Sequence, residues 1–118
     1  MQGIVLFAHG ARDPDWARPF EAIRDCVRKQ RPEYPIELAY LEVMSPTLED
    51  AIESLVREGA SAVTVFPLFM AQGGHLKQDL PRMLSAIRAA HPHIPIRLES
   101  AIGDVPEIVE AIARWILK

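Results

Sequence analysis

The strongest constraint on the fold is an alternation. Four apolar runs of strand length are each followed by a segment with helical spacing. Residues 3–8 (Gly-Ile-Val-Leu-Phe-Ala) form a continuous apolar run, the pattern of a strand buried on both faces. Trp16, Phe20, Ile23 and Val27 then recur on one helical face. Pro19 falls in the first turn of that helix, where a missing N–H costs nothing, and Arg31-Pro32 ends it. A second strand is expected over 36–42, alternating enough for a sheet edge. Ser45, Pro46 and Thr47 open a second helix with Leu48, Ile52, Leu55 and Val56 as its buried stripe, and Gly59 stands at its C′ position. The third strand is expected over 62–67, and the third helix carries Leu80, Leu84 and Ile87, with Pro81 near its start. The fourth strand is expected over 96–101. Asp104 and Glu107 form a capping box in the sequence, entering a last helix that displays Val105, Ile108, Val109, Ile112 and Ile116.

The order βαβαβαβα predicts an α/β fold: an open, mostly parallel four-stranded sheet with helices on both faces, of the flavodoxin-like kind. At 118 residues the chain has the size of one compact domain, so residues 1–118 are expected to form one unit. The prolines fit this order. Pro19, Pro46, Pro81 and Pro106 mark helix starts, while Pro32, Pro35, Pro92 and Pro95 bracket turns into strands. Net charge is −3, so a generic nucleic-acid surface is not expected, because phosphate contacts need a positive footprint. No run approaches the length of a membrane-spanning helix, and no basic stretch precedes the first apolar run. A cytoplasmic protein with no membrane partner is the expectation. The single cysteine, Cys26, has no disulfide partner within the chain and reads as a small packed residue of the first helix.

In open α/β sheets, ligands bind beyond the carboxyl ends of the strands, at a switch in strand order. Two segments meet that condition. After the first strand the chain reads Ala8-His9-Gly10-Ala11-Arg12-Asp13-Pro14. After the third it reads Pro67-Leu68-Phe69-Met70-Ala71-Gln72-Gly73-Gly74-His75-Leu76-Lys77-Gln78-Asp79. The apolar stretch Leu68, Phe69, Met70 is expected to line a cavity or an interface. Gly73 and Gly74 permit either close backbone approach to a ligand or a tight turn. His9 and His75 follow strands expected to be neighbours, and Glu42 ends the second strand on the same rim. Two imidazoles and a carboxylate form a plausible divalent-metal set. His91 and His93 precede the fourth strand, at the opposite end of the sheet, and read as a solvated turn. There is no phosphate-binding P-loop, no G-x-G-x-x-G after the first strand and no nucleophile elbow, so no nucleotide or organic cofactor is expected.

At these residues the chain resembles the small form of the class II tetrapyrrole chelatases, the sirohydrochlorin cobaltochelatases. The resemblance runs over essentially the whole chain. It rests on the run from Leu6 through His9-Gly10 to Pro14, on Tyr40-Leu41-Glu42 with Pro46, and on Pro67-Leu68-Phe69 through Gly73-Gly74-His75 with Lys77 and Asp79. It implies insertion of a divalent metal into sirohydrochlorin without ATP. The metal is then a substrate: Co2+, with Ni2+ or Fe2+ as alternatives. By similarity His9 and His75 bind the metal and accept pyrrole protons, and Glu42 lies near the cavity as a third catalytic candidate. Arg12 and Lys77 stand beside the histidines to meet substrate carboxylates, while Leu68, Phe69, Met70, Gly73 and Gly74 contact the macrocycle. Ala11 departs from the serine that the family usually carries there. That departure keeps a second reading open, a non-catalytic metal or tetrapyrrole carrier on the same fold; a structural module in which the histidine pairing is coincidence is a third. Longer family members enclose the tetrapyrrole between two such halves, so this chain is expected to work as a homodimer.

Overall fold

A computed structural model describes all residues, 1–118. The strands are β1 (Gln2–Ala8), β2 (Ile36–Tyr40), β3 (Ala62–Pro67) and β4 (Ile96–Leu98), and the helices α1 (Arg18–Gln30), α2 (Leu48–Arg57), α3 (Gly74–Ala90) and α4 (Pro106–Ile116). Short 3-10 turns at Pro14–Ala17 and Ile102–Asp104 lead into α1 and α4. The strands form one all-parallel sheet in the order β2-β1-β3-β4, so the α/β expectation holds and β2 is an edge strand. The chain leaves β1 in one direction to reach β2 and returns past it to β3, which puts the switch in strand order between β1 and β3.

The alternation of β1 divides the core. Val5 and Phe7 point into a large cluster with Leu48, Ile52 and Leu55 of α2 and Leu76, Leu80 and Leu84 of α3. Leu6 and Ala8 point the other way, into a smaller cluster with Ile36, Leu38 and Tyr40, packed by Trp16, Phe20 and Val27. β1 is therefore buried on both faces, as its apolar run predicts. Thr47 caps α2 by accepting the Asp50 N–H at 3.1 Å, with Pro46 one residue before the cap, and Gly59 adopts φ +100 after the helix.

Several boundaries differ from the sequence expectation. β2 ends at Tyr40 and β4 at Leu98, because each is an edge strand whose ladder has a partner on one side only. The pairing nevertheless continues for a bond or two past each end, as in the Glu99 N–H to Val65 carbonyl bond of 2.9 Å. α3 starts at Gly74, so Pro81 lies inside the helix rather than near its start; the ring sits on the exposed side, away from the core stripe. Trp16 belongs to the 3-10 turn before α1. The capping box does not form: Asp104 falls in the 3-10 turn, and Val105 takes the cap position of α4 without a side-chain bond. Phe66 of β3 is 36 % exposed, and no residue of α4 is buried. No helix is long and apolar enough to cross a membrane.

Candidate functional site

The backbone beyond the strands brings the carboxyl ends of β1 and β2 together. After β2 ends, the Leu41 N–H donates to the Ala8 carbonyl at 2.9 Å and the Glu42 N–H to the His9 carbonyl at 3.0 Å. His9 and Glu42 are thereby tied through the main chain while both side chains remain exposed. Gly10 follows at φ +95, and a Cβ on it would overlap the Glu42 carbonyl oxygen. Only glycine fits both the positive φ and the approach.

The β3 side supplies the second wall. The Leu68 N–H donates to the Phe7 carbonyl at 2.7 Å, and the Phe69 carbonyl accepts the Ile102 N–H at 3.0 Å. Phe69 is 4 % exposed. Its ring stands edge-on to Phe7 at 5.5 Å and lies 4.6 Å from the imidazole of His9, centroid to centroid. The buried ring sets one side of the His9 imidazole. Gly73 then caps α3, and His75 lies in its first turn with Asp79 one turn further on.

These elements border an open cleft of about 530 Å³ lined by His9, Leu41, Glu42, Gly73, Gly74, His75, Leu76 and Asp79. The three residues expected to meet, His9, Glu42 and His75, do line one space. No three His, Cys, Asp or Glu side chains of the single chain converge closely enough to enclose a metal ion. Neither Gly73 nor Gly74 has a positive φ, and a Cβ on either would meet nothing. Their effect is to leave the mouth clear around the free N–H groups of the first turn of α3. The expected substrate contacts divide. Leu68 packs on the α1 side, Phe69 is buried on the other, and Met70 is 59 % exposed; none of the three lines the cleft. Arg12 and Lys77 also lie outside its lining, exposed and without a hydrogen bond or ion pair from either side chain. Leu41, Leu76 and Asp79 are lining residues that strand-end reasoning missed. Asp79 follows His75 at helical i+4 spacing, a signal visible once α3 is started at Gly74. Beside the site, burial pushes the Tyr40 phenol above its ordinary range; the Glu21 carboxylate adds to this and the Arg24 guanidinium opposes it.

A parallel α/β sheet with two histidines gathered beyond adjacent strands is the general form of the site. The family model named CbiX matches residues 3–117, and the chain belongs to the CbiX family. It is 36 % identical over 84 residues to the sirohydrochlorin cobaltochelatase of Saccharolobus islandicus, covering 71 % of this chain and 64 % of the relative. It is 32 % identical over 84 residues to that of Methanopyrus kandleri, covering 71 % and 59 %. The chain thus spans less than two-thirds of either relative. To the corresponding protein of Saccharolobus solfataricus it is 29 % identical over 120 residues, covering 97 % and 92 %. Among solved structures, the CbiX protein of Marinobacter aquaeolei VT8 superimposes with a TM-score of 0.83 at 33 % identity, over 98 % of this chain and 94 % of that one. The sirohydrochlorin chelatase SirB of Bacillus subtilis in complex with cobalt gives 0.79 at 28 % identity, over 96 % of this chain and 48 % of that one.

Proposed function

We propose that this chain inserts a divalent metal ion, Co2+ with Ni2+ or Fe2+ as alternatives, into sirohydrochlorin without ATP. The observation that carries the reading is the meeting of His9, from the end of β1, with His75, from the first turn of α3, in one open cleft. The names of the relatives supply the substrate class. Insertion forms metal–nitrogen bonds and releases two pyrrole N–H protons. Imidazole binds first-row divalent metals and accepts protons near neutral pH, so the pair serves both metal delivery and proton removal. Glu42, tied to His9 through the backbone, is the acceptor for the second proton. Solvent reaches all three side chains and carries the protons away.

Sirohydrochlorin carries several carboxylates. Arg12 and Lys77, exposed and unpaired, meet them at the rim, and the bare backbone at Gly73 and Gly74 leaves the first-turn N–H groups of α3 open to another. Met70 offers an exposed apolar contact for the macrocycle; Leu68 and Phe69 support the loop beneath it. The cleft is open on one side, and this chain corresponds to 48 % of the matched SirB chain. Two copies therefore pair about a two-fold axis to close the cleft. The test mixes purified protein with sirohydrochlorin and each metal and follows the visible absorption of the macrocycle. Faster insertion than in the protein-free mixture is expected. No acceleration with any of the three metals rules out the enzyme reading, and tight binding without turnover establishes a carrier instead.

A further inference from the structure

Val43 holds a backbone conformation that its side chain resists. Its φ is +69, the only positive value in the chain outside glycine. Branching at Cβ makes such a residue a true outlier. The turn around it is also of the tightest kind. The Met44 N–H donates to the Glu42 carbonyl at 2.7 Å, which closes a three-residue γ-turn of the strained, positive-φ form. Packing does not offset this conformation, since Val43 is 65 % exposed and belongs to neither core cluster.

The flanking bonds show what enforces the turn. Before it, the Leu41 and Glu42 N–H groups donate to the Ala8 and His9 carbonyls, so the chain stays alongside the β1 tip as far as Glu42. After it, the Pro46 carbonyl accepts the Tyr40 N–H at 2.9 Å, and Thr47 caps α2. Met44, packed against the cluster that holds Tyr40, fixes the return path. The chain must therefore leave Glu42 and be back beside Tyr40 by Pro46. A reversal at Val43 meets that demand and keeps Glu42 bonded to His9. A reversal begun one residue earlier would relax Val43 and give up that bond. The Glu42 carbonyl is confined from a second side too, because it lies against Gly10.

Strain that the surrounding structure holds in place gathers where a group must be positioned. Here the group is the carboxylate tied to the strand tip that carries His9. We propose that Val43 is a positioning residue, whose strained turn holds Glu42 against His9 and so aims the Glu42 carboxylate into the cleft. The proposal rests on the chelatase reading above, in which Glu42 takes the second proton. Val43 acts through the backbone alone; its side chain does not line the cleft. Glycine at this position would accept the positive φ freely, but it would accept many other conformations as well. Valine has few alternatives, so the reversal stays where it is.

The experiment is Val43→Gly, read in two ways. Amide hydrogen exchange followed by NMR reads the hold directly and needs no turnover. The Glu42 N–H is expected to exchange about tenfold faster in the variant, while Val5 and Leu6 of the central strand keep the parent rates. Because the change removes strain and little packing, the melting temperature is expected to stay level or rise. In metal insertion, kcat is expected to fall about tenfold with KM unchanged, as for an interaction made only in the transition state. In a Glu42→Gln background the same change is expected to leave the residual kcat where it is.

Parent-like exchange at Glu42 overturns the proposal. So does an unchanged kcat, or an equal loss of kcat in both backgrounds. A lower melting temperature contradicts the strain on which the proposal stands. A parent that inserts no metal refutes the chelatase reading instead, and the exchange result then still decides whether the turn holds Glu42.

Discussion

Gly10 lies flush against the carbonyl of Glu42, at a positive φ, with no room for a single methyl group. One contact thus holds the β1 tip that carries His9 against the β2 extension that carries Glu42. Gly10→Ala must change φ or push the two segments apart. It is expected to lower stability by about 1–3 kcal/mol and to reduce metal insertion well beyond that loss of folded protein. Thermal unfolding read beside the insertion rate on folded protein checks both parts.

Phe69 separates support from contact. Phe69→Ala opens a core cavity and is expected to cost about 3–5 kcal/mol. Phe69→Leu keeps most of the volume and the fold but removes the aromatic face beside His9. Its expected signature is a shift of the His9 ring resonances in NMR together with a lower kcat, at a melting temperature close to that of the parent.

Arg12 and Lys77 are assigned to substrate carboxylates rather than to the chemistry. Arg12→Ala and Lys77→Ala are each expected to raise KM about tenfold, the loss of one charge-assisted hydrogen bond, with kcat nearly unchanged. Steady-state kinetics at low and high salt check this, and the difference from the parent should shrink as salt rises.

Tyr40 predicts an alkaline limit. Burial, reinforced by Glu21, raises its phenol pKa in the folded chain, so the folded state holds the neutral form more tightly than the unfolded chain does. This stability is complete below the unfolded phenol range near pH ~10 and is lost as pH rises through the folded value. Denaturant unfolding at increasing pH is expected to show that loss in the parent and a smaller one in Tyr40→Phe.

The site positions were legible in the sequence because the rule behind them is topological. A buried run such as residues 3–8 announces β1, and whatever follows it lies at the ligand end of a parallel sheet; His9 needed no more than that. Long-range packing was not legible. Pro81 reads as a helix start in isolation, and only the large cluster that accepts Leu76 alongside Leu80 shows that α3 begins a turn and a half earlier, which brings Asp79 into the cleft. Phe69 reads as one of three apolar loop residues, and its contact with His9 depends on the bond from Ile102, 33 positions along the chain. The periodicity of α4 was clear, but periodicity reports that a face is apolar and not whether the chain's own core covers it; here it does not.

The central claim is that His9 and His75 act together on metal and protons in one cleft. The most direct test is the rate of cobalt insertion into sirohydrochlorin by His9→Ala and by His75→Ala, with His91→Ala, at the far end of the sheet, as control. Each of the first two is expected to fall by about 100-fold or more, the usual scale for loss of a positioned acid–base group, while the control keeps the parent rate. Parent-like rates in both His9→Ala and His75→Ala would contradict the account.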